Sequence, residues 1–76
     1  MWFDFYTPGQ RVKCIYKSRY KIEYGETGTI VPNLWNDKDI AAVDWDKEEI
    51  GRHDCDGTAR KGHGWWIPKR YIEVIS

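Results

Sequence analysis

Residues 64–75 read GWWIPKRYIEVI, and this stretch decides the fold class. Its first four residues run from glycine into aromatic and aliphatic side chains, which predicts a short strand. Pro68 lacks an amide donor and ends that strand, and the residues up to Tyr71 are enough for one tight 3-10 turn. Residues 71–75 then alternate between two faces, which predicts a last strand.

The rest of the chain shows the same pattern of short strands between turn residues. Three earlier strands are predicted at residues 11–16 (RVKCIY), 28–31 (GTIV) and 40–46 (IAAVDWD). In the third of these, Ala41, Val43 and Trp45 share one face, and the other face ends in acidic residues. The face with Trp45 is therefore predicted to lie in the core. Residues 47–63 are mostly polar and predict a long loop or an irregular hairpin.

No segment shows a sustained helical period. Five short strands in 76 residues predict an all-β fold, a small five-stranded barrel in which closure removes exposed strand edges. We expect residues 1–76 to form one domain, with the tight turn near Pro68–Tyr71.

Composition excludes several classes of protein. The chain has 12 basic and 12 acidic residues, a net charge of +0 and 41% hydrophobic residues. Neutrality disfavours a polyanion binder held by bulk charge, and the apolar content disfavours disorder. We expect neither a membrane span nor a signal peptide, so Cys14 and Cys55 are interpreted as thiols in a reducing compartment, the cytoplasm.

Several stretches resemble SH3-like barrel proteins, and together they imply that the small five-stranded barrel is SH3-like. Residues 64–72 (GWWIPKRYI) resemble the end of an SH3 domain, where an aliphatic-Pro pair, a tight turn and a Tyr-aliphatic pair follow one another. Residues 9–15 (GQRVKCI) and 25–31 (GETGTIV) resemble a KOW-type or Mib/Herc2-type opening, and AVDWD at 42–46 extends the Mib/Herc2 likeness. HDCDG followed by GHGW is similar to short uncharacterised proteins of phages and mobile elements.

The resemblance also implies where a partner would dock. In the SH3-like register Ile67 points inward and Trp66 points outward beside Pro68 and Tyr71, and Trp35 occupies the loop where SH3 domains place a ligand-gripping tryptophan. The predicted partner-binding residues are Trp35, Trp66, Pro68 and Tyr71. Rigid rings are natural peptide anchors and also stack on unpaired bases, whereas a small domain also needs such rings for packing.

Charge suggests an alternative function. Residues 9–22 contain five basic and no acidic side chains: Arg11, Lys13, Lys17, Arg19 and Lys21. This segment could track a phosphate backbone, as in a KOW-like nucleic-acid-binding domain. SH3 domains that bind basic Pro-rich ligands carry an acidic loop at this position, whereas this segment is basic. Binding of basic Pro-rich peptides is therefore not carried over from the resemblance. The ordinary alternative is a surface of cross-strand ion pairs with the acidic residues between Asp37 and Glu49.

Histidines and cysteines supply a third hypothesis. Cys14, His53, Cys55 and His63 are four residues of the types that ligate zinc, but their spacing lacks the usual close pairs. We therefore expect no metal and no cofactor, and keep a zinc-stabilised structural domain as an alternative. Cys55 with either histidine could form a nucleophile and base, yet no orienting residue or oxyanion site is evident.

The sequence thus predicts a non-catalytic binding module for a protein or peptide partner. Its resemblance to phage proteins implies a modulator of a host factor. The alternatives are nucleic-acid binding through residues 11–21 and a zinc-stabilised domain.

Overall fold

The structure, a computed structural model, describes residues 6–16, 22–35 and 38–75. Five strands are present: β1 (Arg11–Cys14), β2 (Thr27–Val31), β3 (Ile40–Trp45), β4 (Gly64–Pro68) and β5 (Ile72–Val74). The only helical segments within the described residues are two 3-10 turns, Cys55–Gly57 and Lys69–Tyr71. The prediction of an all-β fold is confirmed, and so is the tight turn before the last strand.

The strands form one antiparallel sheet in the order β4-β3-β2-β1-β5. Ile30 of β2 lies opposite Val43 of β3, and Val43 in turn lies opposite Trp65 of β4. Within the described chain the pairings do not join β4 to β5, so closure of the sheet into a barrel stays a prediction.

One face of the sheet carries the core. The core cluster consists of buried aliphatic side chains, two small residues and one indole: Val12, Cys14, Ile22, Ile30, Ala41, Val43, Trp45, Ile67 and Ile72. Trp45 and Ile67 are fully buried, Trp45 as the strand alternation predicts and Ile67 as the SH3-like register implies. Tyr6, Trp65 and Tyr71 are partly buried and pack against this cluster.

Residues 53–59 lie directly against β4. Gly64 makes this possible, since a Cβ there would come within 2.8 Å of the His53 carbonyl oxygen and 3.1 Å of Ala59 Cβ. His53 and Gly64 also exchange two backbone hydrogen bonds. Cys55 and Ala42 are each 1% exposed yet lie outside the core cluster. The protein therefore also buries apolar side chains away from that cluster, and Cys55 is buried within the irregular segment itself.

Arg52 ties the same loop to the sheet. Its guanidinium donates from Nη2 to Glu26 Oε2 (2.7 Å) and from Nη1 to the Lys47 carbonyl oxygen (2.6 Å). The Arg52 side chain is 0% exposed and that of Glu26 is 12% exposed. The ion pair fixes residues 47–52 beside the entrance to β2.

Candidate functional site

Trp35 is the most exposed of the tryptophans that the structure describes, with 61% of its surface accessible. Asn33 shapes its loop, because the Asn33 side chain accepts from the Trp35 amide (3.0 Å) and donates to the Ile40 carbonyl oxygen (3.1 Å). The indole Nε1 donates to Asp56 Oδ2 at 2.7 Å. An exposed ring is thus held in one orientation from both its backbone and its side chain.

Trp66 is half-buried, lies in β4 and contacts the neighbouring loop. The His53 ring centroid lies 4.4 Å from that of Trp66 and 4.9 Å from that of Trp65. His53 Nδ1 accepts a hydrogen bond from the Cys55 amide (2.9 Å), which assigns the proton of the neutral ring to Nε2. His53 and Asp56 are three residues apart, so one short segment contacts both Trp66 and Trp35.

Tyr71 belongs to a different aromatic group. It is half-buried, and its ring stacks on that of Tyr16 with centroids 4.2 Å apart and planes inclined by 9°. The Arg70 guanidinium carbon lies 4.9 Å from the Tyr71 centroid, within cation–π range. The predicted partner-binding residues are therefore divided between two contact groups.

Pro68 is buried, and the prediction that it forms part of an exposed patch is wrong. The reason is that β4 continues through Pro68, which lies opposite Ile40 of β3. The residue ends the strand as its missing amide donor requires, but it does so within the packed sheet.

An open groove of about 250 Å³ lies beside Trp35. Its lining includes Tyr6, Pro8, Val31, Pro32 and Ile40, together with Lys38 and Lys69. The Lys69 amide donates to the Asp39 carbonyl oxygen (2.9 Å), which joins the two sides. We call this space the Trp35 groove.

A second groove of about 390 Å³ continues from the Trp35 groove. The two share Tyr6, Lys38 and Lys69, and the second adds Asp39, Arg70 and Ile72. The Tyr6 hydroxyl lies 3.4 Å from the carbonyl oxygens of both Lys69 and Ile72. Tyr6 and Lys69 are not among the predicted site residues. The aromatic run FDFY at residues 3–6 is the sequence feature that could have pointed to Tyr6.

No family model, curated protein or solved structure matches this chain.

Within the residues described, no helix has the length and apolar character needed to cross a membrane.

Arg11, the first residue of the predicted nucleic-acid-binding segment, is engaged with a carboxylate. Its guanidinium forms two hydrogen bonds to Asp46 (2.7 and 2.5 Å) and a third to Thr29 Oγ1 (2.9 Å). Lys13 lies opposite Glu73 of β5. The other members of the segment, Lys17, Arg19 and Lys21, lie outside the described residues.

The acidic residues at the end of β3 and directly after it are likewise paired. Asp44 accepts from the side chain and the backbone amide of Arg60 (2.9–3.2 Å). Burial opposes ionisation of Asp44, but these hydrogen bonds outweigh it and lower its pKa. Hydrogen bonding to Arg11 lowers the pKa of Asp46 to about 2. This part of the surface carries the cross-strand ion pairs of the ordinary alternative.

The four candidate zinc ligands do not come together. Cys14 lies in the core and its thiol donates to the Tyr16 carbonyl oxygen, while His63 Nδ1 lies 2.8 Å from the Trp45 carbonyl oxygen. Over residues 6–16, 22–35 and 38–75, no group of three or more His, Cys, Asp or Glu side chains could hold a metal ion. Cys14 and Cys55 are both free and buried.

Cys55 and His53 are not arranged as nucleophile and base. Burial, aided by neighbouring carboxylates, raises the pKa of the Cys55 thiol to about 11. His53 Nδ1 accepts from the backbone amide of Cys55, so it serves the turn. A thiol in this state contains little thiolate at neutral pH.

Proposed function

We propose that the chain is a non-catalytic binding module that docks a protein or peptide partner through the Trp35 groove. The observation that carries the proposal is a large, exposed indole fixed by hydrogen bonds to Asn33 and Asp56. A ring that is already ordered loses little conformational entropy on binding and offers a large apolar area. Such preorganised aromatic residues typically dominate the free energy of protein recognition.

The shape and lining of the groove suit a peptide side chain. The apolar residues Pro8, Val31 and Ile40 line a space of about 250 Å³ that is open to solvent. Small-molecule sites are usually larger and enclose most of their ligand, at about 300–1,000 Å³. An open groove with one rigid aromatic wall is better matched to a side chain projecting from an extended segment.

Trp66 and Tyr71 have separate roles in this proposal. Trp66 packs on His53 and so supports the segment that carries Asp56, the hydrogen-bond partner of Trp35. Tyr71 lies at the far end, where Arg70 of the second groove packs on its ring. The resemblance to phage and mobile-element proteins suggests a host protein of the cytoplasm as the partner.

Nucleic-acid binding through the basic segment is the competing function. Arg11 gives this function little support, because its guanidinium is already paired with the Asp46 carboxylate. The chain has no excess of positive charge, on which non-specific affinity for nucleic acid depends. Binding that weakens steeply with added salt and ignores Trp35 would favour this alternative.

Selection from a random peptide library tests the proposal. We expect the chain to enrich peptides whose affinity falls about tenfold or more in Trp35→Ala, as for a hot-spot residue. Tyr24→Ala is the matched control, because Tyr24 is similarly exposed (65%) but does not line either groove. Trp35→Phe keeps an aromatic ring without the N–H, and unfolding curves verify that each variant is folded.

Two results would reject the proposal. One is a selected pool that binds Trp35→Ala as well as it binds the unmodified chain. The other is the absence of any enriched pool while a single-stranded oligonucleotide binds with a steep salt dependence.

A further inference from the structure

We infer that the Trp35 groove binds an acidic peptide segment, an inference that rests on the proposed function and specifies the chemistry of its partner. The segment would place an apolar side chain against Trp35 and carboxylates along the second groove.

The charge of the two grooves is the first argument. Their ionisable side chains other than tyrosine are Lys38, Lys69, Arg70 and one carboxylate, Asp39. Lys38 and Arg70 are exposed, and Lys69 is half-buried. The chain as a whole is neutral, so a surface with three cations to one anion is a local concentration of positive charge. Charge complementarity of this kind selects partners and speeds their association.

The remaining described arginines give the second argument. Arg11, Arg52 and Arg60 each bind a carboxylate of this chain: Asp46, Glu26 and Asp44 respectively. Arg70 differs, because its guanidinium lies over the ring of Tyr71. A cation–π contact does not use the N–H donors of a guanidinium, which match the geometry of a carboxylate. The contact with Tyr71 therefore leaves Arg70 able to donate to a carboxylate of a partner.

The order of features along the grooves is the third argument. Trp35 and the apolar walls lie at one end, Arg70 lies at the other, and Lys38 and Lys69 are common to both grooves. An extended peptide that fills both spaces meets an apolar surface first and cations next. A basic Pro-rich peptide would bring like charges beside Lys38 and Arg70, which disfavours it.

A peptide fits better than a nucleic acid. The Trp35 groove is lined by the aliphatic residues Pro8, Val31 and Ile40 as well as by its aromatic residues. Single-stranded nucleic acids need aromatic platforms for successive bases and many phosphate contacts, whereas these grooves offer few of either.

The experiment compares two selections from one random library of peptides about ten residues long, a length suited to an extended segment in a groove. The first uses the unmodified chain, and only peptides that depend on Trp35 are kept. We expect this pool to be enriched in Asp and Glu over the starting library. The second uses the double variant Lys38→Glu/Arg70→Glu, which we expect to enrich Lys and Arg instead. Lys61→Glu, an exposed lysine outside both grooves, is the control and should reproduce the first pool.

Affinity for an individual acidic peptide from the pool should fall about tenfold or more in the double variant, equivalent to about 1.4 kcal/mol. A Trp35-dependent pool that is neutral or basic, or that is unchanged in the double variant, would overturn the inference and leave the proposed function standing. Displacement of the acidic peptides by a single-stranded oligothymidine at physiological salt would also overturn it. Failure to obtain any Trp35-dependent pool would reject the proposed function itself.

Discussion

Asp46 is the residue at which β1, β2 and β3 are joined by side chains. It follows β3 directly and accepts hydrogen bonds from Arg11 of β1 and from Thr27 of β2, the latter at 2.6 Å. The hydrogen bond with Arg11 is the main cause of its lowered pKa of about 2. The carboxylate form is thus favoured by the folded state.

The pH dependence of stability follows from this shift. A carboxylate whose pKa is lower when folded contributes stability above its unfolded pKa of about 3.9 and loses it as the pH falls toward about 2. We expect Asp46→Asn to lower the free energy of unfolding at pH 7 by about 1 kcal/mol or less, because the pair is half-exposed. Between about pH 4 and pH 2 its stability should decline less than that of the unmodified chain.

Urea unfolding followed by tryptophan fluorescence measures both effects. Glu73→Gln, which removes an exposed carboxylate of β5, is the control and should keep the acid dependence of the unmodified chain. Parallel stability curves for Asp46→Asn and the unmodified chain in this acid range would contradict the role given to Asp46.

Individual residues show when the local sequence pattern is enough to predict burial and when it is not. Trp45 could be assigned to the core from strand alternation, since alternation fixes which face a side chain takes, whereas the inward position of Ile67 was implied by the resemblance to SH3 domains. Pro68 could not, because its burial depends on pairing with Ile40, twenty-eight positions earlier in the chain. The hydrogen bond between Trp35 and Asp56 is likewise non-local, so the orientation of the predicted anchor was beyond sequence patterns.

At the scale of elements, the loop at residues 47–63 depends on Arg52 for its position. The buried guanidinium bridges the Lys47 carbonyl oxygen and the Glu26 carboxylate. Removing one member of a buried ion pair leaves the other charge uncompensated at a cost of about 3–5 kcal/mol. Replacing both members with apolar residues of similar size is often far less costly.

A double-mutant cycle tests this role. We expect Arg52→Met to destabilise the protein by about 3 kcal/mol, and Glu26→Met also to be destabilising. The double variant Glu26→Met/Arg52→Met should be more stable than the sum of the two single effects allows, since no buried charge is left alone. Strictly additive free energies, measured by urea unfolding, would show that the pair is not energetically coupled. If Arg52→Met does not fold, Arg52→Lys replaces it in both the single and the double variant.

Strands and loops differ in how far they could be predicted. Each observed strand overlaps its predicted range, because short runs of alternating residues bounded by glycine and proline are local signals. The 47–63 segment was predicted only as a loop or irregular hairpin. Its packing against Gly64 and its ion pair with Glu26 are long-range, and no periodicity encodes them. The same reasoning applies to the Trp35 groove, whose walls Tyr6 and Lys69 lie far apart in sequence.

For the whole molecule, the two buried regions imply two levels of stability. The core cluster is enclosed by the hydrogen-bonded sheet, and Cys14 is part of it. Cys55 is buried within an irregular segment. Cys55 and Asp56 both have positive φ there, at 51° and 61°. Left-handed conformations cost non-glycine residues about 1–2 kcal/mol each. This strain lowers the free energy required to open the segment while the sheet stays intact.

Thiol reactivity distinguishes local from global opening. In the closed state Cys55 is shielded and its pKa is raised to about 11, so reaction with DTNB requires opening of the loop. Cys14 requires opening of the sheet, since its own strand pairs with both β2 and β5. We therefore expect the Cys14→Ala variant, which retains Cys55, to react with DTNB at least about tenfold faster than Cys55→Ala, which corresponds to about 1.4 kcal/mol less opening free energy. Both should react alike in concentrated urea, which controls for intrinsic reactivity. Equal rates under native conditions would mean that the loop and the sheet open as one cooperative unit. The hydrogen bond between Asp56 and Trp35 would then break only when the whole protein unfolds.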